Sequence, residues 1–255
     1  MTFHIRSAGI ALAATLAFST TTLAVGPGEG PQIAYVPTNS SPTPPAGLKV
    51  ACMDGPNTLN SAKTCPVLKW LGTTTWAYSH LDNRVSMDFV TYDANNNVVI
   101  NQNKDGARYV WNMISSFKTK TVQAFGQSSQ YVTLNWSDLV PPPAVATVPS
   151  NSAPSVPAGL KVACMQNGSD LQPGPTCPVV KVGNHTTWAF SYMDNRVSLA
   201  FVTFNANGKV IRNVEMPGTR YVWQMQVNAS NKTVTATGQS NSTVSAPWSQ
   251  FGPIL

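Results

Sequence analysis

Histidine and acidic side chains are the scarcest chemistry in this chain. Among 255 residues there are three His and ten Asp plus Glu, and only 10% of positions carry charge. Gly-rich phosphate loops and zinc-protease helices are absent too. No run of about 20 apolar residues occurs, so no spanning helix is expected. Cysteine is limited to Cys52, Cys65, Cys164 and Cys177, and no stretch shows a convincing helical period. Each shortage removes a class of function, and what remains is a chain rich in Ser, Thr, Asn, Gln and β-forming residues.

The first residues carry a short polar start with His4 and Arg6, an apolar run from Ala8 to Phe18, and small residues at Thr22-Leu23-Ala24. That plan predicts a signal peptide over residues 1–24, cleaved near Ala24, and a secreted or periplasmic protein beginning near Val25. The cysteines agree with export. They form two pairs of equal spacing, read as two local disulfides, Cys52 with Cys65 and Cys164 with Cys177. A metal would need further ligands beside each pair. The histidines beyond the leader, His80 and His185, occupy non-equivalent positions, so neither metal nor cofactor is expected.

A repeat organises the chain. An offset of 112 residues carries Cys52 onto Cys164 and aligns Pro45 to Leu139 with the second half without a gap. "PAGLKVACM", "DNRV", "RYVW" and "GQS" recur in register. The register reaches back into Pro/Ser/Thr-rich leaders, "AYVPTNSSPTPPAG" and "ATVPSNSAPSVPAG". The reading is a leader over 25–44, a β-domain over 45–139, a Pro-rich linker over 140–156 and a second β-domain over 157–255. The leaders are expected to act as semi-rigid extended spacers between the two domains.

Short alternating runs rich in Val, Thr, Tyr, Phe and Trp predict an all-β fold. Each unit is expected to be an antiparallel β-sandwich or small barrel with one local disulfide. Alternation puts Val85, Met87 and Phe89 on one face, with Arg84 and Asp82 opposite. It also groups Tyr109, Trp111 and Met113, and likewise Val132, Leu134 and Trp136. "DANNN" at Asp93 and "NANGK" at Asn205 suit tight hairpin turns. The first begins like a calcium loop but lacks the glycine and closing glutamate of one.

A function common to both units needs residues common to both. The shared charged set is Lys49/Lys161, Lys69/Lys181, Asp82/Asp194, Arg84/Arg196, Arg108/Arg220 and Lys120/Lys232. One acid per unit is short of the two carboxylates of a usual glycosidase. Without a shared histidine there is no Ser-His-Asp or Cys-His arrangement. A non-enzyme is therefore expected, the alternative being a private site in one unit near His80 or His185.

The candidate ligand-binding residues are Trp76, Asp82, Arg84 and Arg108, with Trp188, Asp194, Arg196 and Arg220. Tryptophan among Thr and Ser suits sugar rings, and two guanidiniums beside a carboxylate suit forked hydrogen bonds to carboxylate or hydroxyl groups. The structural alternative is an Asp-Arg pair that pins a turn. A polysaccharide or another cell-envelope polymer is the expected partner, bound with avidity through two similar domains. A structural or protein-interaction component of the cell surface, an adhesin or assembly subunit, is the second reading. The lysines are too dispersed for nucleic acid.

Overall fold

The computed structural model describes residues 30–168 and 173–253. The signal peptide and the expected cleavage site lie outside the described residues. The first half contains Gln32–Pro37 (β1), Leu48–Val50 (β2), Met53–Gly55 (β3), Thr58–Ser61 (β4), Thr64–Trp70 (β5), Thr73–His80 (β6), Ser86–Tyr92 (β7), Val98–Asp105 (β8), Asn112–Ser116 (β9), Thr121–Phe125 (β10) and Tyr131–Asn135 (β11). The second contains Ala144–Pro149 (β12), Leu160–Val162 (β13), Thr176–Val182 (β14), His185–Tyr192 (β15), Ser198–Phe204 (β16), Val210–Pro217 (β17), Val222–Asn228 (β18), Thr233–Gly238 (β19) and Thr243–Pro247 (β20). Among the described residues every helix is a short 3-10 turn. The all-β expectation holds.

Each half pairs a larger sheet with a smaller one. The first large sheet runs β1-β5-β6-β7-β8 with β2 also on β6, and the small sheet is β9-β10-β11. The second half repeats this as β12-β14-β15-β16-β17 with β13 on β15, and β18-β19-β20. All of these named pairs are antiparallel. Both disulfides form as expected. Closing a loop of this length stabilises by about 3 kcal/mol in the chain-entropy view.

The leaders are more than spacers, which corrects the expectation. Residues 32–37 pair with β5 as an edge strand over six residue positions, and residues 144–149 do the same with β14. The Pro-rich segment after β1 then crosses the face of the large sheet. Ser41 Oγ meets Tyr78 Oη at 2.9 Å, and the Tyr92 hydroxyl donates to the Thr43 carbonyl at 3.3 Å. In the second half Ala146, Val148 and Ala153 pack on a separate apolar cluster of Cys177, Val179, Trp188, Phe190, Ala200, Val202 and Phe204. Each large sheet is thus covered twice, by the small sheet and by its own leader. This explains why all seven positions of β7 and of β16 are buried, since a strand covered on both faces has no solvent side.

Two details of strand parity also need correction. Val85 and Val197 are exposed, at 55% and 63%, because β7 and β16 begin only at the following serine and residues 82–85 form a turn. Tyr109, Trp111 and Met113 do not share a face either. Val110 and Met113 are buried while Tyr109 and Trp111 stay half-buried. In the second half the ladder slips between Val222 and Gln224, a bulge that re-aims the intervening Trp223. Val132, Leu134 and Trp136 do face inward together.

The halves also touch rather than hanging apart on a string. Asn184 N–H donates to the Leu71 carbonyl at 2.9 Å, and Trp70, Leu71, Val182 and Phe251 belong to one continuous apolar cluster. The Asp93 turn is the expected hairpin. Its carboxylate accepts from the amides of Asn95 and Asn97 at 2.9 and 2.8 Å, and Asn205 does the same for Asn207 and Lys209.

Candidate functional site

The Asp-Asn-Arg triplet sits at the turn from β6 to β7. Asn83 takes φ +64, a left-handed conformation that asparagine tolerates better than most residues. Its N–H donates to the His80 carbonyl at 3.2 Å, and Leu81 N–H donates to the Gly47 carbonyl at 2.9 Å. Asp82 Oδ1 accepts the Arg84 backbone N–H at 3.2 Å, while Asp82 Oδ2 takes Nε and Nη2 of the same guanidinium at 2.9 and 2.6 Å. Asn83 Oδ1 accepts from Arg108 Nη2, and the Arg108 carbonyl accepts from Ser79 Oγ. The triplet is therefore a clasp. It closes its own turn and ties that turn to the chain leaving β8 for the small sheet.

The second copy reproduces the clasp through Asp194, Asn195, Arg196, Arg220 and Ser191, with Asn195 again at φ +64. There Arg196 also lies over the Tyr192 ring at 4.3 Å and reaches Glu215 at 3.5 Å. The structure brings Asp82, Arg84 and Arg108 into one clasp: Arg84 is spent on Asp82, while Arg108 gives Nη2 to Asn83.

Trp76 and Trp188 do not join them. Each is only 3% exposed, lying on the leader-covered face, so their sugar-stacking reading is corrected to core packing.

Arg84 holds the Asp82 carboxyl down at about 2, through its side-chain and backbone N–H donors. A carboxyl depressed in the folded state stabilises above its unfolded pKa and loses that contribution as pH falls from 3.8 toward 2. The pair is exposed, so its weight is small. Asp82→Asn is expected to leave the melting temperature near pH 7 almost unchanged and to flatten part of its fall below pH 4, as thermal melts from pH 7 to 2 would record.

The private residues of the first unit form a polar knot. His80 Nε2 and Asp88 Oδ1 lie 2.9 Å apart, and Asn103 Nδ2 reaches both at 3.0 and 2.6 Å. The register-equivalent positions hold Tyr192, Ala200 and Glu215, so the carboxylate has moved from the central strand to its edge neighbour. His185 is largely buried, which lowers its pKa, and its Nδ1 has no partner among the described residues. Among the described residues no three His, Cys, Asp or Glu side chains gather as a metal site.

Two outward features escaped the sequence reading. The first recurs in both halves. Lys49 Nζ lies 5.9 Å and Arg108 Cζ 5.0 Å from the Tyr109 ring, matched by Lys161 at 5.7 Å and Arg220 at 5.4 Å from Tyr221. Among the described residues no carboxylate lies within 4.0 Å of these four cations. The second feature belongs to the first half alone. Trp111, Phe125 and Tyr131 form a row, with ring centroids 6.2 and 5.7 Å apart, across the outer face of the small sheet. Asn112 pairs with Phe125, and Gln123 with Thr133, on that same face. The second half keeps the tryptophan, Trp223, but has Thr237 and Thr243 where Phe125 and Tyr131 stand, with Gln224 in the place of Asn112.

No protein-family model matches the chain, and no curated protein matches it either.

Proposed function

We propose that this chain is an exported, non-catalytic binding protein for carbohydrate or another cell-envelope polymer. The observation that carries this reading is the Trp111–Phe125–Tyr131 row. Three touching aromatic rings on an outer sheet face, bordered by amide and hydroxyl side chains, suit a ligand with apolar ring faces and many hydroxyls. Aromatic faces take the former, and Asn112, Gln123 and Thr133 offer hydrogen bonds to the latter. The single acid and missing histidine in the shared set support binding over catalysis. Two similar units on one chain would add avidity, because the second contact forms at high effective concentration.

Affinity electrophoresis through gels containing neutral polysaccharide tests this. Tyr131 is 55% exposed, so Tyr131→Ala should fold normally. It is expected to weaken retention by roughly three- to tenfold. Unretarded migration of the wild-type protein through every neutral and acidic polysaccharide would overturn the proposal.

A second reading, a protein-interaction component of the cell surface, has its own observation. Leu81 and Val85 flank the first clasp and Met193 and Val197 the second, all exposed, and rigid turns presenting apolar side chains suit a protein surface. Leu81→Ser with Met193→Ser would weaken such an interaction and leave polysaccharide retention unchanged.

A further inference from the structure

We infer that the polymer is anionic, and that the paired Lys49–Tyr109–Arg108 and Lys161–Tyr221–Arg220 clusters receive its carboxylate or sulfate groups. This rests on the polymer-binding reading above and adds a ligand class and a second set of contacts.

Each cluster holds two cations near one tyrosine ring, with no carboxylate within 4.0 Å of them among the described residues. Arg84, Lys104 and Arg196 do pair with carboxylates, Asp82, Asp138, and Asp194 with Glu215; what sets the two clusters apart is that two cations gather at one ring, in both halves alike. Two positive charges facing one ring repel each other, and an anion seated between them removes that repulsion and gains from both. The ring fixes where the charges sit, because ammonium and guanidinium groups are both drawn to its face.

Arg108 is also oriented before any ligand arrives. Asn83 takes one Nη2 proton and Ser79 anchors the backbone carbonyl, and among the described residues no group accepts from Nη1. Among the described residues the Nε of both Arg108 and Arg220 is buried without a partner. A buried donor left unsatisfied is costly, and both halves keep that cost along with the arrangement.

Position links the cluster to the aromatic row. Tyr109 and Trp111 flank the fully buried Val110 in the connection that leads into β9, and both are themselves half-buried. Two residues of chain separate their Cα atoms by at most about 7 Å. A polymer lying over Trp111 and Phe125 therefore passes close to Lys49 and Arg108.

The test uses the whole exported chain and four probes: polygalacturonate for carboxylate, dextran sulfate for sulfate, unsubstituted dextran as the neutral form, and a single-stranded oligodeoxythymidylate. Lys49→Gln with Lys161→Gln removes one cation per cluster and leaves the Arg108 clasp intact. Binding to polygalacturonate, dextran sulfate or both is expected to exceed binding to dextran and to weaken as salt rises. The double variant is expected to lose tenfold or more of that affinity at an unchanged melting temperature, and Lys49→Arg with Lys161→Arg to restore most of it. Which anionic probe binds more tightly identifies the group.

Equal affinity for dextran and the charged glycans would overturn the anionic inference and leave the polymer-binding reading standing. Unaltered anionic binding by the double variant would overturn the assignment to these clusters. Tighter binding of the oligonucleotide than of either charged glycan would sink the polysaccharide class, and failure to bind any probe would sink both readings.

Discussion

A chain begun at Pro45, lacking residues 25–44, is expected to lose the cooperative unfolding of its first half. The deletion removes β1 and with it an antiparallel ladder of six residue pairs on β5. It also strips the segment that meets Tyr78 through Ser41 and Pro42, and Tyr92 through Thr43. Trp76, Tyr78 and Tyr92 are almost fully buried with that segment in place. Uncovering large apolar side chains costs about 1.5–3 kcal/mol each, so three of them reach the scale of a whole domain's stability of about 5–15 kcal/mol. Calorimetry of the truncated chain should show only the second half melting, with dye-accessible apolar surface at room temperature. If the leader were a free spacer, the truncation would leave both transitions in place. Removing residues 144–156 by replacement with a Gly/Ser linker is expected to do the same to the second half.

The leader's role was written in the sequence in a place other than the leader itself. Its Pro, Ser and Thr residues have no apolar periodicity, and local pattern alone reads them as linker. The signal lies in the strands that it covers. "SLAFVTF" puts Leu199, Ala200, Phe201, Val202 and Phe204 on both sides of one strand, and an antiparallel strand with one wet face would alternate instead. Both faces had to be covered, and the duplicated register, which extends back through the leaders, marked them as part of the repeating unit.

The clasp was legible in part. Recurrence of Asp82, Arg84 and Arg108 pointed to three side chains acting together, and they do meet. Parity put Asp82 and Arg84 on the solvent side, where they are, but it misplaced their neighbours Val85 and Val197, because the strands begin only at Ser86 and Ser198. It also grouped Tyr109, Trp111 and Met113 on one face where the chain does not keep a regular alternation, as the bulge at Trp223 shows in the second half. Lys49 and Lys161 stood in the shared charged set, yet nothing local linked them to a tyrosine some sixty residues away. The aromatic row was hidden for the opposite reason. Its Phe125 and Tyr131 have no aromatic counterparts in the second half, where Thr237 and Thr243 stand, so a search restricted to shared residues passes over them.

Trp76→Ala is expected to destabilise the first half by about 3–5 kcal/mol, the range for truncating a fully buried large aromatic. Trp76 lies on β6 with Val90 opposite it on β7, and the covering leader leaves the neighbours little freedom to collapse into the space. For a unit of this size each kcal/mol lowers the midpoint by roughly 4–8 °C, so a drop on the order of 15 °C or more should appear in the first transition while the second stays in place. Trp188→Ala should reverse that assignment, since Trp188 occupies the same place in the second sheet. Trp76→Phe keeps most of the apolar volume and should fall well short of this loss. Polysaccharide retention at a temperature where the variant remains folded is expected to match that of the wild type, in contrast to Tyr131→Ala, which should weaken binding and spare the midpoint. The opposite pattern, with stability kept and retention lost in Trp76→Ala, would return Trp76 to the surface as a ligand contact. The two tryptophans in the repeated "TWA" and the exposed tyrosine outside it thus separate what the fold needs in both halves from what the first half presents outward on its own.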